Sequence, residues 1–187
     1  MIHNKIFYQR AFKEFGVSAQ GVHWNSKDSQ YKRFEILTQF FKNDIEDTTI
    51  VDVGSGFGEY LVYLENNSLG LKEYIGVDCE DHMIEIAKKR FPNNRFYKRN
   101  ILFDPLFEAD YYICSGALNI LLYSQVELFI KRCFQSSKKG FIFNYLKHLT
   151  FTNISQDEII YICKEHTNNI TVKENYLEND FTVAMFK

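Results

Sequence analysis

The sequence predicts an α/β fold: a three-layer sandwich on a mostly parallel seven-stranded sheet with its last strand antiparallel, plus N-terminal helices. Three observations support that expectation. From residue 48 onward, short runs rich in Ile, Val, Tyr and Phe alternate with segments of helical spacing. The last two runs are joined by a link too short to hold a crossover helix. The composition, 45% hydrophobic and 25% charged over 187 residues, suits a chain that buries one sizeable core.

Ahead of the sheet, helices are expected over residues 4–15 and 29–42, the second with Tyr31, Phe34, Leu37 and Phe41 on one face. The link between them, GVSAQGVHWNSKD, holds Gly16, Gly21 and the sole tryptophan, Trp24. Strands follow at TIVDVG (49–54), EYIGVD (73–78), RFYKRN (95–100), DYYICSG (110–116) and GFIFNYL (140–146). Helical spacing between them comes from Tyr60, Leu61 and Leu64, then Met83, Ile84 and Ala87, then Val126, Phe129, Ile130 and Phe134. Ser124-x-x-Glu127 and Ser155-x-x-Glu158 read as capping boxes that open two helices. Strand and helix in repetition call for a parallel sheet covered on both faces, the Rossmann-like arrangement. NITVKENYL and FTVAMFK close it as an antiparallel hairpin. The expected organisation is a single domain over 1–187: a helical extension or lid over 1–47 and a ligand-binding core over 48–187.

A net charge of −2, from 24 acidic and 22 basic side chains, gives no electrostatic reason to bind a phosphate backbone. No apolar run approaches the roughly 18 residues of a membrane span, and the first residues lack the apolar stretch of a signal peptide. Cys79, Cys114, Cys133 and Cys163 are widely spaced, without a Cys/His cluster, so no metal site is expected. Reduced thiols fit a cytoplasmic location, and all but Cys79 read as small core hydrophobes.

The first strand runs into Val51-Asp52-Val53-Gly54-Ser55-Gly56-Phe57-Gly58-Glu59. Glycines at a strand-to-helix turn let the backbone approach a ligand, and the helix start offers free N–H groups. A dinucleotide site wants its third glycine at position 59, which is Glu59; here the spacing is G-x-G-x-G. The acid at Asp52 suits a ligand with an ammonium group and disfavours a pyrophosphate.

With these residues the chain resembles the class I S-adenosylmethionine-dependent methyltransferases over about residues 48–187. VDVGSGFG matches their first motif, so Asp52, Gly54, Ser55 and Gly56 are expected at the cofactor, S-adenosylmethionine or its product S-adenosylhomocysteine. The resemblance implies that Asp78, ending the second strand, takes the ribose hydroxyls. It also implies that Cys79 and Met83 line the adenine, with Asn100 in place of a common acid and Ile101 beside it. The fourth strand would present Ser115 to the methionine end.

The resemblance leaves the acceptor and the catalytic groups open. A small-molecule acceptor methylated at N, O or C is the leading reading, because the residues ahead of the first strand are too few for a separate recognition domain. RNA or protein methylation and a non-catalytic cofactor-binding subunit stand as alternatives. Ser115-Gly116-Ala117-Leu118 lacks the prolines of nucleic-acid amino methyltransferases, so nucleic acid is disfavoured. His23, His148 and Tyr145 are candidates for a base or a pocket wall, as are Asn119 and Asn144 for the pocket. The 16–28 link is expected to fold over the methionine end, with Trp24 beside the ligand and Arg33 on the cofactor carboxylate.

Overall fold

The computed structural model describes residues 26–148, 150 and 153–187. The helix expected over 4–15, His23 and Trp24 lie outside the described residues. Helix α1 (Lys27–Gln39) opens on Ser26, whose side chain accepts the Ser29 N–H at 3.1 Å. The helix therefore starts two residues before its expected position. It gives way to a 3-10 segment, Lys42–Asp47, where the sequence suggested one helix to residue 42.

The remaining elements alternate as expected: β1 (Thr49–Val53), α2 (Glu59–Asn66), β2 (Glu73–Asp78), α3 (Asp81–Arg90), β3 (Arg95–Lys98), β4 (Ala109–Ser115), α4 (Tyr123–Ser136), β5 (Ser137–Leu146), α5 (Gln156–Lys164), β6 (Ile170–Glu174) and β7 (Asp180–Phe186). They form one seven-stranded sheet in the order β3-β2-β1-β4-β5-β7-β6. Every pairing is parallel except those of β7, which runs antiparallel to both β5 and β6. The chain works outward from β1 to β3, then returns to place β4 on the other side of β1. Ligands of such sheets bind beyond the strand ends at that reversal.

Period-two alternation along the strands builds two apolar layers. Val51, Val53, Tyr112, Cys114, Phe141, Phe143 and Phe181 face α4 and α5. Ile50, Tyr111, Ile113, Ile142 and Ala184 face α1, α2 and α3. Cys114, Cys133 and Cys163 are buried in the first layer and Cys79 is exposed. Phe34, Leu37, Phe41 and Ile45 sit in the second layer, so the stretch before β1 is built into the core. Phe34 meets the Tyr60 ring edge-on at 5.0 Å, and Thr38 shares a 2.7 Å hydrogen bond with the Tyr60 hydroxyl.

The Ser155–Glu158 capping box forms, with Glu158 accepting the Ser155 N–H at 2.8 Å. Helix α4 starts one residue before Ser124, and its reciprocal contact is Gln125 accepting the Leu122 N–H at 3.0 Å.

Candidate active site

The turn after β1 is fastened to the end of β2: the N–H groups of Gly54 and Ser55 donate to the Val77 carbonyl at 2.9 and 3.1 Å. Gly54 has φ +74°, and a Cβ there would stand 2.7 Å from that of Ala117. Gly58, the left-handed residue that opens α2, would set a Cβ 2.8 Å from the Phe91 ring. Both positions need glycine for conformation and for space. The sequence motif thus becomes a tight cradle at the sheet reversal.

Two acids flank it. Asp78 ends β2, and its two oxygens accept the Gly56 N–H at 3.0 Å and the Glu80 N–H at 2.9 Å. Burial raises its carboxyl above the ordinary carboxylate value, while those two donors pull the other way. Each oxygen retains capacity for another donor. Asp52 on β1 is buried and accepts the Tyr74 hydroxyl at 2.6 Å. Burial lifts its carboxyl to about 7, against the Tyr74 hydrogen bond and with a smaller push from the Asp78 charge.

Asp52, Gly54, Ser55, Gly56 and Ser115 line one cleft, as the motif implied they would share a site. Gln30 and Phe34 of α1 and Phe57, Glu59 and Tyr60 complete its lining among the described residues. The sequence reading missed Gln30. The available signal was a polar residue on the apolar face of α1, one turn before Phe34. Beyond the cleft, Ser115 donates to Asn144 at 2.9 Å, and the Asn144 amide donates to Thr182 at 2.7 Å and Tyr176 at 3.2 Å. A polar path, buried at Asn144 and Thr182, therefore leads from the cleft to the β6–β7 link.

The other candidates are dispersed. Cys79 is exposed next to Asp78, Met83 is buried in the first turn of α3, and Ile101 packs into the layer under α4 and α5. Asn100 shapes the exit from β3: its side-chain oxygen accepts the Leu102 N–H at 3.0 Å, and its own N–H donates to Asp104 at 2.7 Å. Asn100→Leu is therefore expected to lower stability by about 1 kcal/mol, and Asn100→Asp much less. Urea unfolding of the two variants checks this, and equal stabilities would dismiss the turn bond.

Arg33 donates from Nε and Nη2 to the two oxygens of Asp180 at 2.5 and 2.8 Å, tying α1 to the start of β7. Tyr145 is fully buried against Phe181, in the layer opposite α1. Asn119 accepts the Leu146 N–H at 3.1 Å. His148 is exposed, its backbone tied to Asn179 in both directions at 2.8 and 2.9 Å. Among the described residues there is no His/Cys/Asp/Glu group arranged to hold a metal and no helix long and apolar enough to cross a membrane.

Residues 50–140, which hold the glycine turn and both acids, match the family model of a methyltransferase domain. A Mycobacterium tuberculosis protein, provisionally named a methyltransferase, is 27% identical over 164 residues, covering 78% of this chain and 96% of that protein. The fold is shared with magnesium protoporphyrin IX methyltransferase from Synechocystis PCC 6803 solved with bound S-adenosylmethionine (TM-score 0.70, 11% identity, 86% of this chain and 80% of that one). It is shared equally with a TehB-like S-adenosylmethionine-dependent methyltransferase from Corynebacterium glutamicum (TM-score 0.70, 14% identity, 100% and 98%). Residues 50–140 thus match a methyltransferase domain, and motif, sheet order and relatives together make the chain similar to the class I S-adenosylmethionine-dependent methyltransferases.

Proposed function

We propose that this protein transfers a methyl group from S-adenosylmethionine to an N, O or C atom of a small-molecule acceptor, within a single domain over residues 1–187. The observation that carries the donor site is the fixed Asp78 carboxylate, held by the Gly56 and Glu80 N–H groups beside the glycine turn. One rigid acid at the end of β2 suits a ribose diol, and the left-handed glycines leave room for the ligand backbone to pass close. Asp52 is the partner for the cofactor ammonium. Bound there, S-adenosylmethionine supplies an electrophilic methyl on a sulfonium. The chain's own residues position the acceptor and keep water away from it.

Three features support a small acceptor. The net charge is −2. The helix ahead of β1 is packed into the core and does not stand as a separate recognition surface. The Synechocystis neighbour, by its name, methylates a small molecule. The neutral path Ser115–Asn144–Thr182–Tyr176 is the acceptor-facing wall in this reading, with Tyr176 held up at about 12 by burial and so protonated at neutral pH.

Incubating the protein with methyl-labelled donor and a metabolite extract tests the proposal. Label in a small-molecule fraction supports it, and label confined to added RNA or protein overturns the acceptor class. On the donor side, Asp78→Ala is expected to weaken S-adenosylhomocysteine binding roughly 10- to 150-fold, the loss of one charge-assisted hydrogen bond. Unchanged affinity by calorimetry would reject the ribose role.

A further inference from the structure

Three polar side chains stand in register on neighbouring strands: Ser115 of β4 opposite Asn144 of β5, and Asn144 opposite Thr182 of β7. Each lies two residues from a member of the layer under α1, Ile113, Ile142 and Ala184, so all three point to that side of the sheet. Asp180, two residues before Thr182, shares that face and holds Arg33 of α1. Gln30, one turn before Arg33, lines the cleft together with Ser115. A polar strip thus runs on the α1 side from the cleft to the β6–β7 link, roughly 10 Å across its three strands.

The protons of this strip can be counted. Asn144, Thr182 and Tyr176 form a closed triangle of contacts at 2.7, 2.8 and 3.2 Å, and each edge needs one proton. The Asn144 amide supplies two and a hydroxyl the third, whereas the opposite amide orientation would leave one edge without a proton. Thr182 is fully buried and has no other acceptor among the described residues, so its proton goes to Tyr176. Tyr176 then accepts twice and keeps its own O–H free, on a hydroxyl whose proton burial holds at neutral pH. At the cleft end, Oε1 of Gln30 has no partner, although the residue is only 3% exposed. A buried acceptor left bare is costly, which marks it as a place where a ligand supplies the missing donor.

We propose that the methyl acceptor is an uncharged small molecule lying along this strip, accepting a hydrogen bond from Tyr176 and donating one, from an O–H or N–H, to the Gln30 oxygen. The inference rests on the small-acceptor reading above and narrows it. A carboxylate or phosphate on the substrate would face Asp180 with Arg33 already engaged, and an ammonium would face Arg33 with Asp180 engaged. Of the acids in the cleft, Glu59 is tied to Arg90, and Asp52 serves the methyl donor in the same reading.

A metabolite extract split beforehand into three pools tests it, using a cation exchanger in acid and then an anion exchanger at neutral pH. Each pool is incubated with the protein and methyl-labelled S-adenosylmethionine, and label is expected in the pool that neither exchanger retains. With that pool at limiting concentration, Tyr176→Phe and Gln30→Leu are each expected to lower the labelling rate about tenfold or more. Affinity for S-adenosylhomocysteine by calorimetry should stay unchanged in both. Tyr176→Phe also takes an acceptor from Asn144 and Thr182 and should lower the melting temperature, whereas Gln30→Leu removes a bare group and should not. Label in either charged pool overturns the proposal. So does a wild-type labelling rate in either variant, or a loss of S-adenosylhomocysteine affinity that matches the loss of rate. Label only in added RNA or protein, or none with any pool, overturns the small-acceptor reading itself, and this inference with it.

Discussion

Arg33→Met is expected to destabilise the free protein by about 3–5 kcal/mol, because it leaves the Asp180 carboxylate buried without its partner. Both residues are buried, and the guanidinium fork meets the two carboxylate oxygens in parallel, the geometry that makes such a pair hardest to break on one side. Asp180→Asn should cost a similar amount. The double variant Arg33→Met/Asp180→Leu should recover most of the loss, since no lone charge then remains in the interior. Urea unfolding of the free protein measures all three. Single-variant losses below about 1 kcal/mol would show that the pair behaves as a surface contact. A role for Arg33 as clamp on the cofactor carboxylate gives the opposite pattern: unfolding little changed and S-adenosylhomocysteine binding lost.

Asp52→Asn is expected to separate binding from stability. The folded protein holds this carboxyl at about 7, above the ordinary aspartate value of 3.8, chiefly through burial. A raised folded-state value means that the stability it lends is complete below the unfolded value and is lost as pH climbs to about 7. The asparagine variant, which has no proton to lose, should gain on wild type steadily across that interval and keep a constant advantage above it. Tyr74 can still donate to the amide oxygen, so the local geometry is retained. Binding runs the other way. An ammonium needs the ionised carboxylate, so wild-type affinity for S-adenosylhomocysteine should rise with pH up to about 7 and then flatten. The variant should bind roughly 10- to 150-fold more weakly at pH 7.5, with no such slope. Parallel melting and calorimetry series over pH 5.5–7.5 make the comparison, and a wild-type affinity flat across that range would remove Asp52 from the ammonium.

The sequence by itself determined the features whose physics is local. Period-two runs fixed the strands, the short link before Asp180 fixed the reversed β7, and glycine spacing after Asp52 fixed the turn and its acid at the strand end. Their signals lie within a few residues of one another, so no distant partner is needed to read them. The tertiary structure decided what depends on residues far apart in the chain. Arg33 looked available to a ligand because its partner, Asp180, lies 147 positions away. Gln30 looked like an ordinary helix residue until α1, packed against β4, β5 and α2, carried it into the cleft. Asp52 carried its charge in the motif, but its lifted proton affinity came from burial beneath those layers and from the neighbouring Asp78, with the hydroxyl of Tyr74 holding it in place. Burial and charge pairing are properties of the packed layers, and only the assembled sheet and its helices bring those groups within reach of one another.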